Sequence, residues 1–93
     1  MKKKKKEKQK KIQIVKKLKG GLNSITWTNG DGYTGKINEH NEPEGKGVYI
    51  FNNGDKYEGY FRKGKKYGRG ILHHNNGKAS KCLYVGGIEW SRD

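Results

Sequence analysis

A short pattern of glycine, tyrosine and turn residues recurs along most of the chain. The frame Gly-Asp-x-Tyr-x-Gly occupies residues 30–35 and returns 24 residues later at 54–59. The frame Gly-[Lys/Arg]-Gly occupies residues 45–47 and returns 23 residues later at 68–70, and each copy leads through an apolar run to Asn-Asn-Gly. Two landmarks with nearly the same period predict one structural unit used repeatedly, because periods of about 20–50 residues are typical of repeat architectures.

Each repeat is predicted to be a β-hairpin. Asn29-Gly30, Asn53-Gly54 and Asn76-Gly77 are strong turn pairs, since Asn and Gly both tolerate positive φ. β-Branched and aromatic residues flank them, as in residues 25–28 and 33–37. Glycines inside the strands leave room for a neighbouring backbone or ring to approach closely. A single hairpin is marginal in water, so the hairpins are expected to stack into an all-β, antiparallel array.

The first 21 residues differ from the rest in charge. Residues 1–19 hold 11 lysines against Glu7, whereas the remaining chain holds 11 Lys/Arg against 8 Asp/Glu. Such a lysine-rich segment buries too little apolar surface to offset the entropy of ordering. Farther on, Ile12, Val15, Leu18 and Leu22 have helical spacing, although residues 12–14 alternate as in a strand, and a short helix is favoured. The predicted organisation is therefore a basic tail over residues 1–21, disordered or partly helical, and a repeat array over residues 22–93.

The tail lysines are candidate ligands for an anionic surface. A lysine beside an anionic membrane is worth about 1 kcal/mol. The partner could be anionic phospholipid, an acidic protein surface or nucleic acid. Lysine lacks the planar fork with which arginine reads bases, so charge-driven binding of low specificity is expected, and nucleic acid is the least favoured partner. A merely solubilising terminus is the alternative to all three. The candidates are Lys2, Lys3, Lys4, Lys5, Lys6, Lys8, Lys10, Lys11, Lys16, Lys17 and Lys19.

Residues 57–70 resemble a MORN repeat (membrane occupation and recognition nexus), whose pattern is Y-x-G-x-[WF]-x-x-G-x-x-x-G-x-G. Residues 33–55 are a looser copy, with Ile37 at the aromatic position. After Gly77 the match decays into two possible registers, one with Ser80-Lys81-Cys82 in place of Y-x-G and one shifted by four residues to Tyr84-Val85-Gly86. The resemblance makes the following residues structural: Tyr33, Gly35, Gly45, Gly47, Tyr57, Gly59, Phe61, Gly68 and Gly70.

The resemblance implies an extended scaffold that assembles with partner proteins in cytoskeletal, ciliary or membrane-associated complexes. MORN arrays also precede lipid-kinase and lysine-methyltransferase domains, but no catalytic domain follows here, so this chain alone is expected to be inert. His73-His74 would point to opposite faces of a strand, and Cys82 with three histidines has no zinc-site spacing. The carboxylates of Glu39, Glu42 and Glu44 are interpreted as a solvated turn. The sequence therefore predicts no enzyme activity, cofactor, metal or small-molecule substrate.

Residues 82–90 are the most apolar stretch of the chain. Exposed apolar surface marks interaction sites, which predicts a protein partner or self-association there through Leu83, Tyr84, Ile88 and Trp90. The alternative is a cap in which Trp90 closes the final hairpin. With one cysteine and no apolar run of about 20 residues, the expected location is cytoplasmic, with a peripheral place at a membrane, the cytoskeleton or a cilium.

Overall fold

A computed structural model describes residues 13–92, which form one open antiparallel sheet of eight strands. The strands pair in chain order, so every connection is a hairpin, and the all-β prediction is confirmed. The sheet measures 44 × 32 × 26 Å. Its strands are β1 Gln13–Lys17, β2 Asn23–Trp27, β3 Gly32–Ile37, β4 Pro43–Ile50, β5 Lys56–Arg62, β6 Lys65–His73, β7 Ala79–Val85 and β8 Ile88–Arg92.

The helix favoured near the N-terminus is wrong for Gln13–Lys17, which is a strand. Val15 of this strand lies opposite Ile25 of β2 and packs against the core, so pairing with the sheet outweighs the weak helical spacing. A 3₁₀ turn at Lys19–Gly21 then leads into β2, with Gly20 and Gly21 at φ 73° and 77°. Among the described residues, the sheet thus begins at Gln13 instead of residue 22. Residues 1–12 lie outside the described part of the chain, and their disorder stays a prediction.

The three Asn-Gly turns lie where the sequence predicts them, but the asparagines act differently. The glycines have φ between 91° and 96°, whereas Asn29, Asn53 and Asn76 do not have positive φ. Each asparagine instead accepts a hydrogen bond at Oδ1 from the backbone N–H two residues later, an Asx turn. The N–H groups of Asp31, Asp55 and Lys78 donate to Asn29, Asn53 and Asn76 at 3.0, 2.9 and 3.0 Å.

The core lies on one face of the sheet and is mainly aromatic. Tyr33 and Tyr57 are 1% and 0% exposed. The ring of Phe61 meets both edge-on, at centroid distances of 5.1 and 5.3 Å. Tyr84 continues the series against Tyr57 at 5.5 Å. Edge-to-face pairs of this kind stabilise beyond their buried area, so the rings tie each hairpin to the next.

Tyr33 and Tyr57 each lie across a glycine of the following G-x-G. A Cβ at Gly47 would come within 2.2 Å of Tyr33 Oη, and a Cβ at Gly70 within 2.3 Å of Tyr57 Oη. Gly59 is also crowded, by the Cα of Gly70 at 2.7 Å. The close approach predicted for both glycines of each G-x-G is wrong for Gly45 and Gly68. The nearest atom to a Cβ at Gly45 would be 3.4 Å away and none lies within 4 Å at Gly68, so their φ values of 92° and 70° are what favour glycine there.

The last repeat is in register and not shifted by four residues. Ser80 and Cys82 of β7 lie opposite Leu72 and Gly70 of β6, where Tyr57 and Gly59 lie on the other side. Tyr84 therefore occupies the position of Phe61. Ser80 stands at the position of Tyr57 but has no ring. The side chain of Cys82 therefore meets no tyrosine hydroxyl from that position, whereas a Cβ at the equivalent Gly59 would lie 2.7 Å from Tyr57 Oη.

Candidate interaction surface

The face opposite the core is exposed and carries both cations and apolar side chains. In three directly opposed cross-strand pairs a cation faces an apolar residue: Lys46–Tyr60, Arg69–Leu83 and Lys81–Ile71. We call this face the outer face. Because directly opposed side chains stand on the same side of a sheet, each pair joins a charge and an apolar group in one small patch.

A shallow groove of about 700 Å³ crosses the outer face from β4 to β8. The backbone of Gly59 and Gly70 contributes to its lining, together with Lys46, Tyr60, Arg69, Ile71, Lys81 and Leu83. Gly59 and Gly70 belong to the core face, where an added Cβ would lie 2.7 and 2.3 Å from Tyr57 Oη, so they show only backbone on the outer face. The groove therefore lies over this backbone, between outer-face side chains of neighbouring strands.

The electrostatic balance of the groove is positive. Glu58 is its acidic side chain, and the Nε2 atom of His73 lies 3.2 Å from a Glu58 carboxylate oxygen. Within residues 13–92, Lys46 and Arg69 take part in no ion pair. The groove therefore presents cations that an acidic ligand could approach.

The last hairpin places the four predicted interface residues in different environments. Ile88 and Trp90 are each 72% exposed, and Leu83 is half-buried on the outer face. Tyr84 is 8% exposed in the core, so it is not available to a partner, contrary to its place among the interface candidates. The surface of this hairpin is therefore formed by Leu83, Ile88 and Trp90.

At the same end of the array, charged groups border the core face. The ammonium of Lys66 lies 5.1, 5.4 and 5.7 Å from the ring centroids of Phe51, Tyr84 and Tyr57. Burial lowers the pKa of Lys66. Glu89 accepts a hydrogen bond from Arg92, and this contact is the main cause that lowers the pKa of Glu89. The Lys66 ammonium therefore lies over the rings at this end of the core face.

The predicted lysine site is only partly within the described residues. Lys16, Lys17 and Lys19 are exposed, beside exposed Ile14 and Leu18. The other candidate lysines fall on residues 1–12 and lie outside the described residues.

The acidic loop between β3 and β4 is organised by its own hydrogen bonds. Glu44 accepts from the Asn38 side chain and from the Lys63 N–H, both at 3.1 Å, and these bonds lower its pKa. Nothing in residues 13–92 groups three or more His, Cys, Asp or Glu side chains in a way that could hold a metal. His73 and His74 contact different partners, Glu58 and the Ser80 hydroxyl.

Asp31 is a structural residue that the sequence reasoning missed. It is 8% exposed and accepts hydrogen bonds from the Tyr49 hydroxyl at 2.7 Å and the Asn52 N–H at 2.9 Å. Burial first, and then this hydroxyl contact, raise the pKa of Tyr49. Asp55 repeats the contact one hairpin later by accepting from the Asn75 N–H at 2.9 Å. The recurring Gly-Asp dipeptide was the available signal for this link between successive turns.

The hairpins form a single-layer meander. Tyrosine rings packed over glycines, and aspartate carboxylates that accept hydrogen bonds from the next turn, hold successive hairpins together. This arrangement defines a β-hairpin repeat protein. Residues 39–56 and 57–79 match the family model described as MORN repeat. Residues 39–79 therefore contain two MORN repeats, and the resemblance inferred from the sequence is confirmed for them. MORN repeats serve in protein or membrane interactions and are typically non-enzymatic. No helix among the described residues is long and apolar enough to cross a membrane.

Two curated relatives share a short segment with this chain. Over 44 residues it is 41% identical to the Inactive protein tyrosine kinase pTKL of Plasmodium berghei (strain Anka). It is 43% identical over 44 residues to the protein of the same name from Plasmodium falciparum (isolate 3D7). Each match covers 47% of this chain and 3% of the relative, so the chain spans a very small part of these proteins.

Proposed function

We propose that this chain is a non-enzymatic scaffold module that assembles with a partner protein in a cytoplasmic complex at the cytoskeleton, a cilium or a membrane. The supporting observation is the last hairpin, where Ile88 and Trp90 are largely exposed beside exposed Val85. Fully burying a large apolar side chain stabilises by about 1.5–3 kcal/mol. Covering Ile88 and Trp90 together is thus a substantial driving force for association.

A second copy of the chain is the simplest partner to test. We expect the wild type to sediment as a dimer or larger species at micromolar concentration. Ile88→Lys/Trp90→Lys should sediment as a monomer with an unchanged melting temperature, because both residues are already exposed. Thr26→Lys/Thr34→Lys adds the same charge at exposed positions away from the hairpin and should still associate. A wild type that stays monomeric, with a hairpin variant that is only less stable, would favour the capping role instead.

A second candidate function is peripheral attachment to anionic phospholipid through the lysine-rich tail. It is supported by exposed Ile14, Leu18 and Leu22, which lie among Lys16, Lys17 and Lys19. Apolar residues interspersed with lysines are typical of segments that lie in a membrane interface. The eight lysines at residues 2–11 would add attraction to the surface.

Co-sedimentation with phosphatidylserine vesicles tests this candidate without damaging β1. Replacing the eight lysines at residues 2–11 by glutamine should abolish binding. Raising salt from about 0.1 M to 1 M should weaken it, because the Debye length falls from about 10 Å to 3 Å. Salt-insensitive binding, or binding retained by the glutamine variant, would assign the attachment to the sheet. Equal binding to duplex DNA would favour the nucleic-acid alternative, which lysine's lack of base-reading geometry makes weaker.

A further inference from the structure

The groove on the outer face has a composition that the fold does not require. The core face contains the rings and glycines that hold the hairpins together, whereas the groove contains exposed cations and apolar side chains. We propose that the groove binds an acidic peptide segment that also carries apolar side chains, supplied by a partner protein. This inference rests on the proposed scaffold function and specifies the chemistry of one partner.

The dimensions of the groove fit an extended segment. It reaches from Lys46 on β4 to Ser91 on β8. Four inter-strand spacings make this about 19 Å, the length of about six extended residues. A segment crossing the strands would lie over the backbone of Gly59 and Gly70, between the outer-face side chains that line the groove.

The charges of the groove select an acidic ligand. Lys46 and Arg69 are exposed and make no ion pair with other described residues, and Lys81 lines the same groove. Glu58 is already in contact with His73. Carboxylates on a bound segment would therefore meet more cations than acids, and complementary charge favours both orientation and association rate.

The apolar residues of the groove alternate with these cations. Tyr60 faces Lys46, Leu83 faces Arg69 and Ile71 faces Lys81 across neighbouring strands. Tyr60 and Ile71 are exposed large apolar side chains, so they offer contact area that the isolated chain leaves in water. A ligand in which acidic and apolar residues alternate would satisfy both kinds of group at once.

The recessed shape favours a peptide over a membrane surface. A bilayer presents a broad, nearly flat surface. It would rest on the side chains beside the groove and would not reach the backbone of Gly59 and Gly70. A polypeptide can instead place its backbone and side chains inside the recess. The experiment must accordingly distinguish peptide binding in the groove from membrane binding by the same residues.

Fluorescence anisotropy with a labelled peptide of alternating Glu and Leu, about ten residues long, tests the proposal on the full chain. We expect saturable binding to the wild type. Lys46→Glu/Arg69→Glu should bind at least about tenfold more weakly, because two attractive contacts become repulsive. Lys36→Glu/Lys56→Glu makes the same charge change at exposed positions outside the groove and should change affinity less than about twofold. All four side chains are exposed, so both variants should keep the wild-type melting temperature.

Three results would overturn the proposal. The first is no binding, or the same loss in both charge variants. The second is equal binding of a Glu-Ser peptide, which would exclude the apolar residues from recognition. The third is a groove variant that no longer binds phosphatidylserine vesicles but still binds the peptide with wild-type affinity, which would assign the surface to lipid binding. A wild type that self-associates through its last hairpin but binds no acidic peptide would leave the proposed function standing and remove this inference alone.

Discussion

Replacing Gly70 by alanine should destabilise the array far more than an ordinary glycine-to-alanine change. An added Cβ would lie 2.3 Å from Tyr57 Oη and 2.4 Å from two ring carbons, whereas ordinary contact begins near 3.4 Å. Gly70 does not have positive φ, so alanine causes no backbone strain. The whole effect therefore comes from the contact between the new methyl group and the tyrosine ring.

The Tyr57 ring has little freedom to move away. Phe61 and Tyr84 meet it edge-on at 5.3 and 5.5 Å, and its side chain is fully buried. Overpacking costs about 1–3 kcal/mol. If the ring is expelled, the loss approaches the 3–5 kcal/mol typical of removing a buried aromatic side chain, so we expect about 3 kcal/mol or more. A chain of this length is stable by between about 5 and 14 kcal/mol, so the change is a large part of the total.

Urea unfolding followed by tryptophan fluorescence measures this cost. The matched control is Gly32→Ala, because its Cβ would meet only a backbone oxygen at 3.6 Å and its φ is not positive. It should change the free energy of unfolding by less than about 1 kcal/mol. In a Tyr57→Leu background, the cost of Gly70→Ala should fall below about 1 kcal/mol, because the ring that it displaces is gone. Equal costs for Gly70→Ala and Gly32→Ala, or no coupling to Tyr57, would refute the contact between tyrosine and glycine.

Three further outcomes follow from buried groups. Asp31→Ala should lower the free energy of unfolding in urea by about 2–3 kcal/mol, since it leaves the Tyr49 hydroxyl and the Asn52 N–H without an acceptor. Asp55→Ala, at the more exposed equivalent turn, should lower it by about 1 kcal/mol. Equal losses in the two variants would contradict this reasoning. Burial raises the pKa of Tyr33 and Tyr57 to about 12, so the unfolded state loses these protons first. Their contribution is complete below pH 10 and should be lost between about pH 10 and 12, by up to about 1.4 kcal/mol per pH unit for each tyrosine, and a pH-independent urea midpoint in that window would contradict it. Cys82 is buried, so a thiol reagent should label it at the rate of unfolding, and labelling as fast as for a free thiol would show that β7 opens readily.

Much of the fold could be predicted from the sequence because its determinants are local. Asn-Gly pairs fix the hairpin turns, and the two-residue alternation around Tyr57 and Phe61 fixes which side chains enter the core. The turn mechanism was predicted less well, since the asparagines form Asx turns and do not adopt positive φ. Strand β1 was predicted only as the weaker alternative to a helix, because five residues carry too little pattern and its stability comes from pairing with β2.

The candidate surface was harder to predict, because it depends on which residues face each other across strands. Lys46 and Tyr60 are neighbours only when the register of β4 and β5 is known. Tyr84 was assigned to the interface because residues 82–90 are apolar, but in-register pairing of β7 turns its ring into the core. Ile88 and Trp90 are exposed, while the lysines at residues 2–11 lie outside the described residues and their role stays a prediction.

The repeat itself separates folding from recognition in this chain. Alternation places the residues of the MORN pattern, such as Tyr57 and Gly59, on the core face, where a change is costly. The residues between them stand on the outer face, where Lys46, Tyr60 and Arg69 make few contacts that the fold needs. Outer-face side chains can therefore vary without altering the register of the sheet. Binding specificity in such an array should accordingly be found at the positions that its repeat pattern leaves unspecified.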